Sequence, residues 1–61
     1  MKVKDLVKII KNEYIYVYCR GLRLQVDDTN ILFDNPGLAE KEINFIMAED
    51  NPRAIAIYVY E

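Results

Sequence analysis

Residues 14–26 read YIYVYCRGLRLQV, and this stretch decides the fold of the 61-residue chain. Apolar side chains alternate along it with tyrosine or polar side chains, which is the period-two pattern of a β-strand. Gly21 stands where the chain would reverse, because glycine accepts a positive φ without a steric clash. The stretch therefore predicts a β-hairpin with Arg20 and Gly21 as a two-residue loop. Arginine is not the preferred first residue of such a loop, so a three-residue loop with a glycine bulge is the alternative.

The predicted hairpin has one wholly apolar face and one face of tyrosine and polar side chains. The apolar face pairs Cys19 with Leu22, Val17 with Leu24, and Ile15 with Val26. The opposite face pairs Tyr18 with Arg23, Tyr16 with Gln25, and Tyr14 with Asp27. A slip of one residue would turn every side chain of one strand to the wrong face, so the pattern specifies this register.

The segment before the hairpin predicts an amphipathic helix. Its apolar residues follow the spacing i, i+3, i+4 and i+7 on one side, at Val3, Leu6, Val7 and Ile10. Ile9 widens this apolar stripe, and Asn12 is the expected end of the helix. A helix of about ten residues is marginal alone in water. We therefore expect it to pack on the apolar face of the sheet.

Residues 27–37 combine polar clusters with a short apolar run. The sequence DDTN at 27–30 predicts a turn, and its carboxylates lack the spacing of a calcium loop, so no metal site is expected. The run ILF at 31–33 is expected to extend the sheet or to lie against its edge. Asn35 before Pro36 is typical of a helix N-cap followed by proline at the first helical position.

Residues 38–49 are compatible with two structures. Their composition favours a second helix at 38–48, which would leave a three-stranded sheet. The alternative is a short helical turn over 36–41 followed by a strand over 42–48. That strand would place Ile43, Phe45 and Met47 on one face and Asn44, Ile46 and Ala48 on the other. Residues 49–52 would then form the turn of a second hairpin, with Pro52 outside the strand ladder.

The last segment alternates again and predicts a central strand over residues 54–60. Ile55, Ile57 and Val59 form its apolar face, and Tyr58 and Tyr60 lie opposite. If both tyrosine-bearing strands belong to one sheet, all five tyrosines share a surface with Arg23. The helix can cover only one side of that sheet, and the aliphatic side needs it more.

The tyrosine surface is therefore left to solvent or to a partner. Tyrosine and arginine are enriched at protein interfaces, because they combine a large rigid or flat contact area with polar ends. The predicted interface comprises Tyr14, Tyr16, Tyr18, Arg23, Tyr58 and Tyr60. The simpler alternative is that tyrosines occupy the wet face of a single sheet because of their high β-propensity.

Composition argues against catalysis and cofactor binding. The chain has no histidine and no serine, one cysteine and two isolated glycines. It therefore lacks a base beside a nucleophile, a zinc ligand set and a glycine-rich phosphate loop. We expect a protein that is not an enzyme, holds no metal or cofactor, and buries Cys19 as a small hydrophobe. A lone cysteine, no signal peptide and no long apolar run predict a cytoplasmic protein without membrane insertion.

The small size of the chain and its uneven charge distribution both affect whether it is expected to bind a partner. A single core in 61 residues supplies roughly 3–5 kcal/mol of net stability, so association with another subunit is expected. Residues 1–23 hold six Lys or Arg against two acids, whereas residues 24–61 hold two against eight acids. We expect the oppositely charged halves to face each other; an electrostatic partner site is the alternative.

The apolar pattern resembles that of small phage and prophage proteins of low-GC Gram-positive bacteria. The resemblance rests on four motifs: Val3-Lys4-Asp5-Leu6-Val7-x-Ile9-Ile10, Ile15-x-Val17-Tyr18-x-x-Gly21, Glu42-Ile43-x-x-Ile46-x-Ala48 and Ile55-x-Ile57-Tyr58-Val59. It implies that residues 43–48 form a strand paired with the last one. It implies no activity and no set of functional residues. It does imply a phage setting, in which small acidic proteins often bind host or phage proteins, including defence systems.

The resulting expectation is a single α+β domain over residues 1–61, with an N-terminal helix on a small antiparallel sheet of two hairpins. Its expected function is that of a protein-interaction module, associating as a homodimer or with another protein through the tyrosine surface. Inhibition of a host factor is one form that this function can take. The alternative function is single-stranded nucleic-acid binding by tyrosine and arginine on the sheet. The acidic pI near 5.0 makes that alternative the weaker one.

Overall fold

Three short helices lie on one face of a four-stranded sheet in the computed structural model, which describes residues 1–50 and 53–61. The elements in chain order are α1 (Val3–Val7), β1 (Tyr14–Cys19), β2 (Leu22–Val26), α2 (Asn30–Phe33), α3 (Pro36–Ala39), β3 (Ile43–Asp50) and β4 (Arg53–Val59). The expected α+β class is confirmed. None of the helices in these two ranges is long and apolar enough to cross a membrane.

The sheet has the strand order β2-β1-β4-β3 and is mixed. Both predicted hairpins exist, because β1 pairs antiparallel with β2 and β3 pairs antiparallel with β4. The expectation of a wholly antiparallel sheet is wrong, because β1 and β4 pair in parallel at the centre. The reason lies in residues 27–42, which cross the sheet through α2 and α3. A helical crossover brings the chain back in the direction of the strand it left, so β3 runs parallel to β2.

The first hairpin has the register that its alternation predicts. Ile15 lies opposite Val26 and Cys19 opposite Leu22, with every pair between them as expected. Arg20 and Gly21 both adopt positive φ values, 53° and 77°. Two successive positive φ values are typical of a two-residue type I′ turn, whose twist matches the right-handed twist of the flanking strands. The three-residue alternative is therefore not formed.

The helical layer differs from the predicted one in two places. Helix α1 ends at Val7, and Ile9 is 62% exposed, so it does not widen the apolar stripe. Asn12 is therefore not the end of the helix as expected; it follows α1 by five residues and has a left-handed φ of 63°. The run at 31–33 forms α2 and not a strand; Ile31 is buried, whereas Phe33 is 80% exposed.

The polar turn before α2 explains why a helix forms there. The Oδ1 atom of Asp27 accepts hydrogen bonds from the backbone N–H groups of Thr29 (2.9 Å) and Asn30 (2.7 Å). Asn30 Oδ1 accepts one from the N–H of Asp27 at 2.9 Å. These contacts satisfy donors that a new helix leaves free, so the turn starts a helix at residue 30.

The second half of the chain adopts the strand alternative, and a helix at 38–48 is excluded. Asn35 is the N-cap residue of α3 with Pro36 in its first turn, as predicted, but α3 stops at Ala39. Strand β3 then runs to Asp50. Glu49 and Asp50 of the predicted turn belong to the strand, and Asn51 and Pro52 lie outside the described residues.

The core lies between the helices and the inner face of the sheet. Val17 and Ile57 from the two central strands are fully buried, as is Val3 from α1. The other members of this buried cluster are Val7, Ile15, Val26, Ile31, Ala39 and Val59. Cys19 is half-buried and packs against the cluster, as expected of a small hydrophobe. All three helices contribute to one face of the sheet, which leaves the other face without a helix in the described part of the chain.

Ion pairs join the basic N-terminal residues to acids of the second half. Lys2 and Lys4 both contact the carboxylate of Glu40, and the N-terminal ammonium contacts Glu42 at 3.0 Å. One pair joins a basic residue of the second half to an acid of the first half: Arg53 contacts Glu13 at 2.8 Å. The charged halves therefore face each other, as the charge pattern predicted. The pairs made by Lys2, Lys4 and the N-terminal ammonium lie where α1 meets the end of α3 and the start of β3.

Replacing Arg20 with asparagine should stabilise the fold by about 0.5–1 kcal/mol, because asparagine tolerates a positive φ better than arginine does. Replacing Gly21 with alanine should cost about 1 kcal/mol. A Cβ at Gly21 would meet no heavy atom within 4 Å, so that cost is conformational and not steric. Urea denaturation of both variants measures these changes. Equal stability of the three proteins would contradict the positive φ values of the loop.

The pKa of Glu40 should be about 2, well below its usual 4.5, because the ammonium groups of Lys2 and Lys4 donate hydrogen bonds to its carboxylate. A lowered folded-state pKa stabilises the fold above about pH 4.5, and this contribution disappears as the pH falls towards 2. NMR titration of the Glu40 side chain measures the pKa. Replacing Lys2 and Lys4 with methionine should return it towards 4.5, whereas Lys11→Met, at an exposed position, should leave it unchanged.

Candidate interaction surface

The sheet face opposite the helices presents a continuous aromatic and polar surface, which we call the open face. The pairing registers place residues from all four strands on it. They are Arg23 and Gln25 of β2; Tyr14, Tyr16 and Tyr18 of β1; Ala54, Ala56 and Tyr58 of β4; and Phe45, Met47 and Glu49 of β3. Within residues 1–50 and 53–61, no helix packs against this face.

The structure brings five of the six predicted interface residues together. Tyr18 lies directly between Arg23 on one neighbouring strand and Tyr58 on the other. Tyr14 and Tyr16 follow Tyr18 along β1 on the same face. Tyr60, the sixth residue, lies just beyond the end of β4 and is 58% exposed. It therefore stands at the rim of the open face and not among the central residues.

Three aromatic rings form a stack that runs across three strands. The rings of Tyr18 and Tyr58 are 4.7 Å apart with an interplanar angle of 8°. The rings of Tyr58 and Phe45 are 4.5 Å apart with an angle of 10°. Cross-strand aromatic pairs of this kind contribute up to about 1 kcal/mol each to sheet stability. Both faces of the Tyr58 ring are covered in this stack, whereas Tyr18 and Phe45 each turn one face towards Tyr58.

Polar contacts hold two of the tyrosines in place. The guanidinium carbon of Arg23 lies 4.6 Å from the centre of the Tyr16 ring, which is a cation–π contact. The Tyr18 hydroxyl donates a hydrogen bond to Oε2 of Glu49 at 2.9 Å. This hydrogen bond is the main reason that the pKa of Tyr18 lies above its usual 10.0. The open face thus carries a cation on β2 and an anion on β3, with ordered tyrosines between them.

Side chains of the open face cover its own centre from solvent, whereas the side chains at its rim are exposed. Ala54 and Ala56 are 1% and 0% exposed although no helix lies above them, so neighbouring aromatic side chains must cover them. Tyr16, Tyr18 and Tyr58 are half-buried. The large side chains that remain accessible are at the rim: Tyr14 (59%), Tyr60 (58%), Met47 (52%) and Phe45 (47%).

Phe45 and Met47 are members of the open face that the sequence did not assign to it. The expected strand put Ile43 on the same face as these two residues. An irregularity in the β3–β4 ladder between Ile43 and Phe45 changes this, because it leaves Asn44 as an extra residue. Ile43 then lies opposite Val59 on the helix side, and Phe45 lies opposite Tyr58. Both faces of this segment are apolar, so alternation alone could not say which one meets the helices.

A second apolar surface occurs on the helix side, at the outer edge of β2. Leu22 is 68% exposed and Leu24 is 41% exposed, because the short helices do not extend over this strand. With Cys19 and Leu38 these leucines line an open groove of about 310 Å³. The expectation that the aliphatic face is covered by the helix is therefore wrong at this edge.

Acidic side chains and the cysteine are the remaining candidates for a metal or catalytic site. No cluster of three or more Cys, Asp or Glu side chains suited to a metal ion occurs in the part of the chain that the structure describes. Asp27 of the polar turn uses its carboxylate to accept backbone hydrogen bonds. Comparison with family models, curated proteins and solved structures yields no match for this chain.

Replacing Glu49 with glutamine should lower the pKa of Tyr18, because a neutral amide would replace the negatively charged carboxylate that accepts the hydrogen bond of its hydroxyl group. The raised pKa means that the neutral phenol stabilises the fold below pH 10 and that this contribution disappears at higher pH. Absorbance of tyrosinate against pH, in wild type and in a Tyr18→Phe reference, isolates this one group. An identical titration of Tyr18 in wild type and Glu49→Gln would contradict the contact.

Proposed function

We propose that this chain is a non-enzymatic protein-interaction module that binds a protein partner through the open face. One observation carries the proposal: a four-stranded sheet face, free of helices in the described residues, whose rim exposes Tyr14, Tyr60, Phe45 and Met47 to about half or more of their area. Aromatic and methionine side chains of this kind are enriched at the centres of protein interfaces. The partner is another protein or a second copy of the chain.

Preorganisation supports binding through this face. Tyr16 is held by Arg23, Tyr18 by Glu49, and Tyr58 between two rings. Association usually costs about 0.5–1.5 kcal/mol for each side chain that becomes immobilised. Side chains already fixed in the free protein avoid most of that cost. The central tyrosines therefore form an ordered surface, and the exposed rim residues around them provide the contacts with the partner.

The ring geometry gives less support to the nucleic-acid alternative. Bases stack on the faces of aromatic rings. Here Tyr58 has both ring faces engaged, by Tyr18 and by Phe45, and Arg23 lies over Tyr16. The formal charge of −2 also opposes a polyanion. Fluorescence titration with labelled oligonucleotides at low salt tests this alternative, and we expect no binding at tens of micromolar protein.

A phage or prophage accessory role is the biological setting that we propose for the module. The support is the resemblance of the apolar pattern to small phage proteins, together with the lack of a catalytic residue set in the sequence. In that setting the partner would be a host protein, and binding would inhibit it. Such an inhibitor requires only a stable surface of the kind that the open face offers.

Replacing both Tyr14 and Tyr60 with serine should weaken partner binding at least about tenfold while leaving the fold intact. Both tyrosines are more than half exposed, so their loss removes contact area and not core packing. Tyr58 is a less suitable position for this test, because its ring stacks on Tyr18 and Phe45 and its loss would also change the packing of the sheet. Capture from a host lysate with wild-type and variant baits, quantified by mass spectrometry, identifies the protein whose recovery falls.

The matched control is Ile9→Ser, which removes an equally exposed apolar side chain from outside the sheet. We expect the same protein to be recovered with wild type and with this control, and to be lost with the tyrosine double variant. Circular dichroism must show the same folded signal for all three baits. Equal recovery with the tyrosine variant would contradict binding through the rim of the open face.

A further inference from the structure

We propose that β3 pairs with β3 of a second copy, antiparallel and centred on Ile46, so that two sheets join into one. This inference goes beyond the proposed function, because it names one partner and a mode of contact other than that of the open face. The pairing uses the outer edge of β3, which is the last strand in the order β2-β1-β4-β3. It leaves both open faces on the same side of a continuous sheet.

The edge of β3 is covered at its beginning and uncovered afterwards. The backbone N–H of Val3 donates to the carbonyl of Lys41 at 3.0 Å, and that of Ile43 donates to the carbonyl of Met1 at 2.9 Å. An isolated antiparallel bridge between Lys2 and Glu42 completes this cover. Beyond the extra residue Asn44, no strand within the described residues pairs with the outer edge.

The uncovered part has the composition of a pairing strand. Residues 44–48 read NFIMA, with no charge and no proline. Phe45, Ile46 and Met47 are 47%, 51% and 52% exposed. Free sheet edges are normally protected by charges, prolines or short length, because they pair readily with other strands. The other edge strand, β2, is shorter and carries Arg23 at its centre, whereas the charges of β3 lie only at its far end, beyond residues 44–48.

The segment is complementary to itself. In an antiparallel pair centred on Ile46, that residue lies opposite its own copy, and Phe45 lies opposite Met47 in both directions. Side chains alternate between the two faces along a strand, so residues whose numbers differ by an even amount lie on the same face. Each of these pairs therefore joins side chains on the same face of the combined sheet. The central register therefore matches apolar with apolar at three successive positions. It also sets a methionine sulfur beside the outer ring of the Tyr18–Tyr58–Phe45 stack.

The acidic far end of β3 favours the antiparallel direction. The far end of β3 carries Glu49 and Asp50. The near end carries Lys41 and, through the N-terminal cover, the Met1 ammonium and Lys2. The Met1 ammonium and Lys2 already pair with Glu42 and Glu40 of their own chain, so antiparallel pairing acts by keeping the acidic ends of the two strands apart. Two parallel copies would instead place like charges side by side.

The available area predicts a weak dimer. Three large side chains, each about half exposed, offer roughly 300 Å² of apolar surface per copy. Two copies then bury at most about 600 Å² of apolar surface in addition to backbone, which is below the roughly 1,200 Å² of a standard stable interface. We expect a monomer–dimer equilibrium in the micromolar range and not a permanent dimer.

Sedimentation velocity across about 1 μM to 1 mM protein tests the pairing. Wild type should shift from monomer to dimer over this range. Ile46→Lys and Ile46→Glu should each raise the dimer dissociation constant more than about tenfold, because each removes an apolar pair and sets like charges opposite each other. An equimolar mixture of the two variants should dimerise again, since the lysine and the glutamate then face each other.

Leu24→Lys is the matched control, because it charges a half-exposed position on the other edge strand. It should leave the dissociation constant unchanged. Circular dichroism of each Ile46 variant reports its fold, and restoration in the mixture cannot come from variants that fail to fold. A wild-type protein that stays monomeric at 1 mM, or variants that dimerise like wild type, would overturn the proposal.

The experiment separates this inference from the proposed function. If Tyr14→Ser with Tyr60→Ser abolishes the dimer and the Ile46 variants do not, the second copy binds through the open face, and the edge pairing is wrong. If the Ile46 variants are monomeric but still recover the lysate protein, both proposals stand. If they are monomeric and the tyrosine variant recovers the lysate protein normally, only the edge pairing stands.

Discussion

The parallel pairing of β1 with β4 is the contact on which the rest of the molecule depends. It joins two hairpins that would otherwise be separate, and a two-stranded hairpin alone is marginally stable in water. On the helix side it sets Val17 beside Ile57 in the fully buried core. On the opposite side it sets Tyr18 beside Tyr58, which begins the aromatic stack. Core and open face are therefore two sides of the same strand pair.

Much of the local structure could be predicted from the sequence. The hairpin register followed from strict alternation on both sides of Gly21, because only one register keeps all the apolar side chains together. The mixed sheet could not be predicted in this way. Its central pair joins residues such as Tyr14 and Ala54, which are far apart in the chain, and no local pattern records which strands become neighbours. Assigning residues 31–33 to the sheet or its edge also concealed the helical crossover, which determines the strand directions.

Strand alternation also made part of the candidate surface predictable. The tyrosines could be assigned to one face because their own strands alternate clearly between aliphatic and tyrosine positions. Phe45 and Met47 could not, because Ile46 and Ala48 on the other face of β3 are apolar too. The extra residue Asn44 then reversed the expected facing of Ile43. The uncovered edge of β3 was also invisible in the sequence, since it depends on the strand order and on how far residues 1–3 extend along it.

The topology has a consequence for the order in which the chain folds. Each hairpin closes over a short segment, whereas the strands of the central pair are about 40 residues apart. Loop closure over such a distance costs entropy before any contact compensates for it, and folding slows as contact order rises. The two hairpins should therefore form early and the central pair late. Until that step, Ile57 and Val59 lack the helices that bury them, so the partly folded chain is the state most exposed to aggregation.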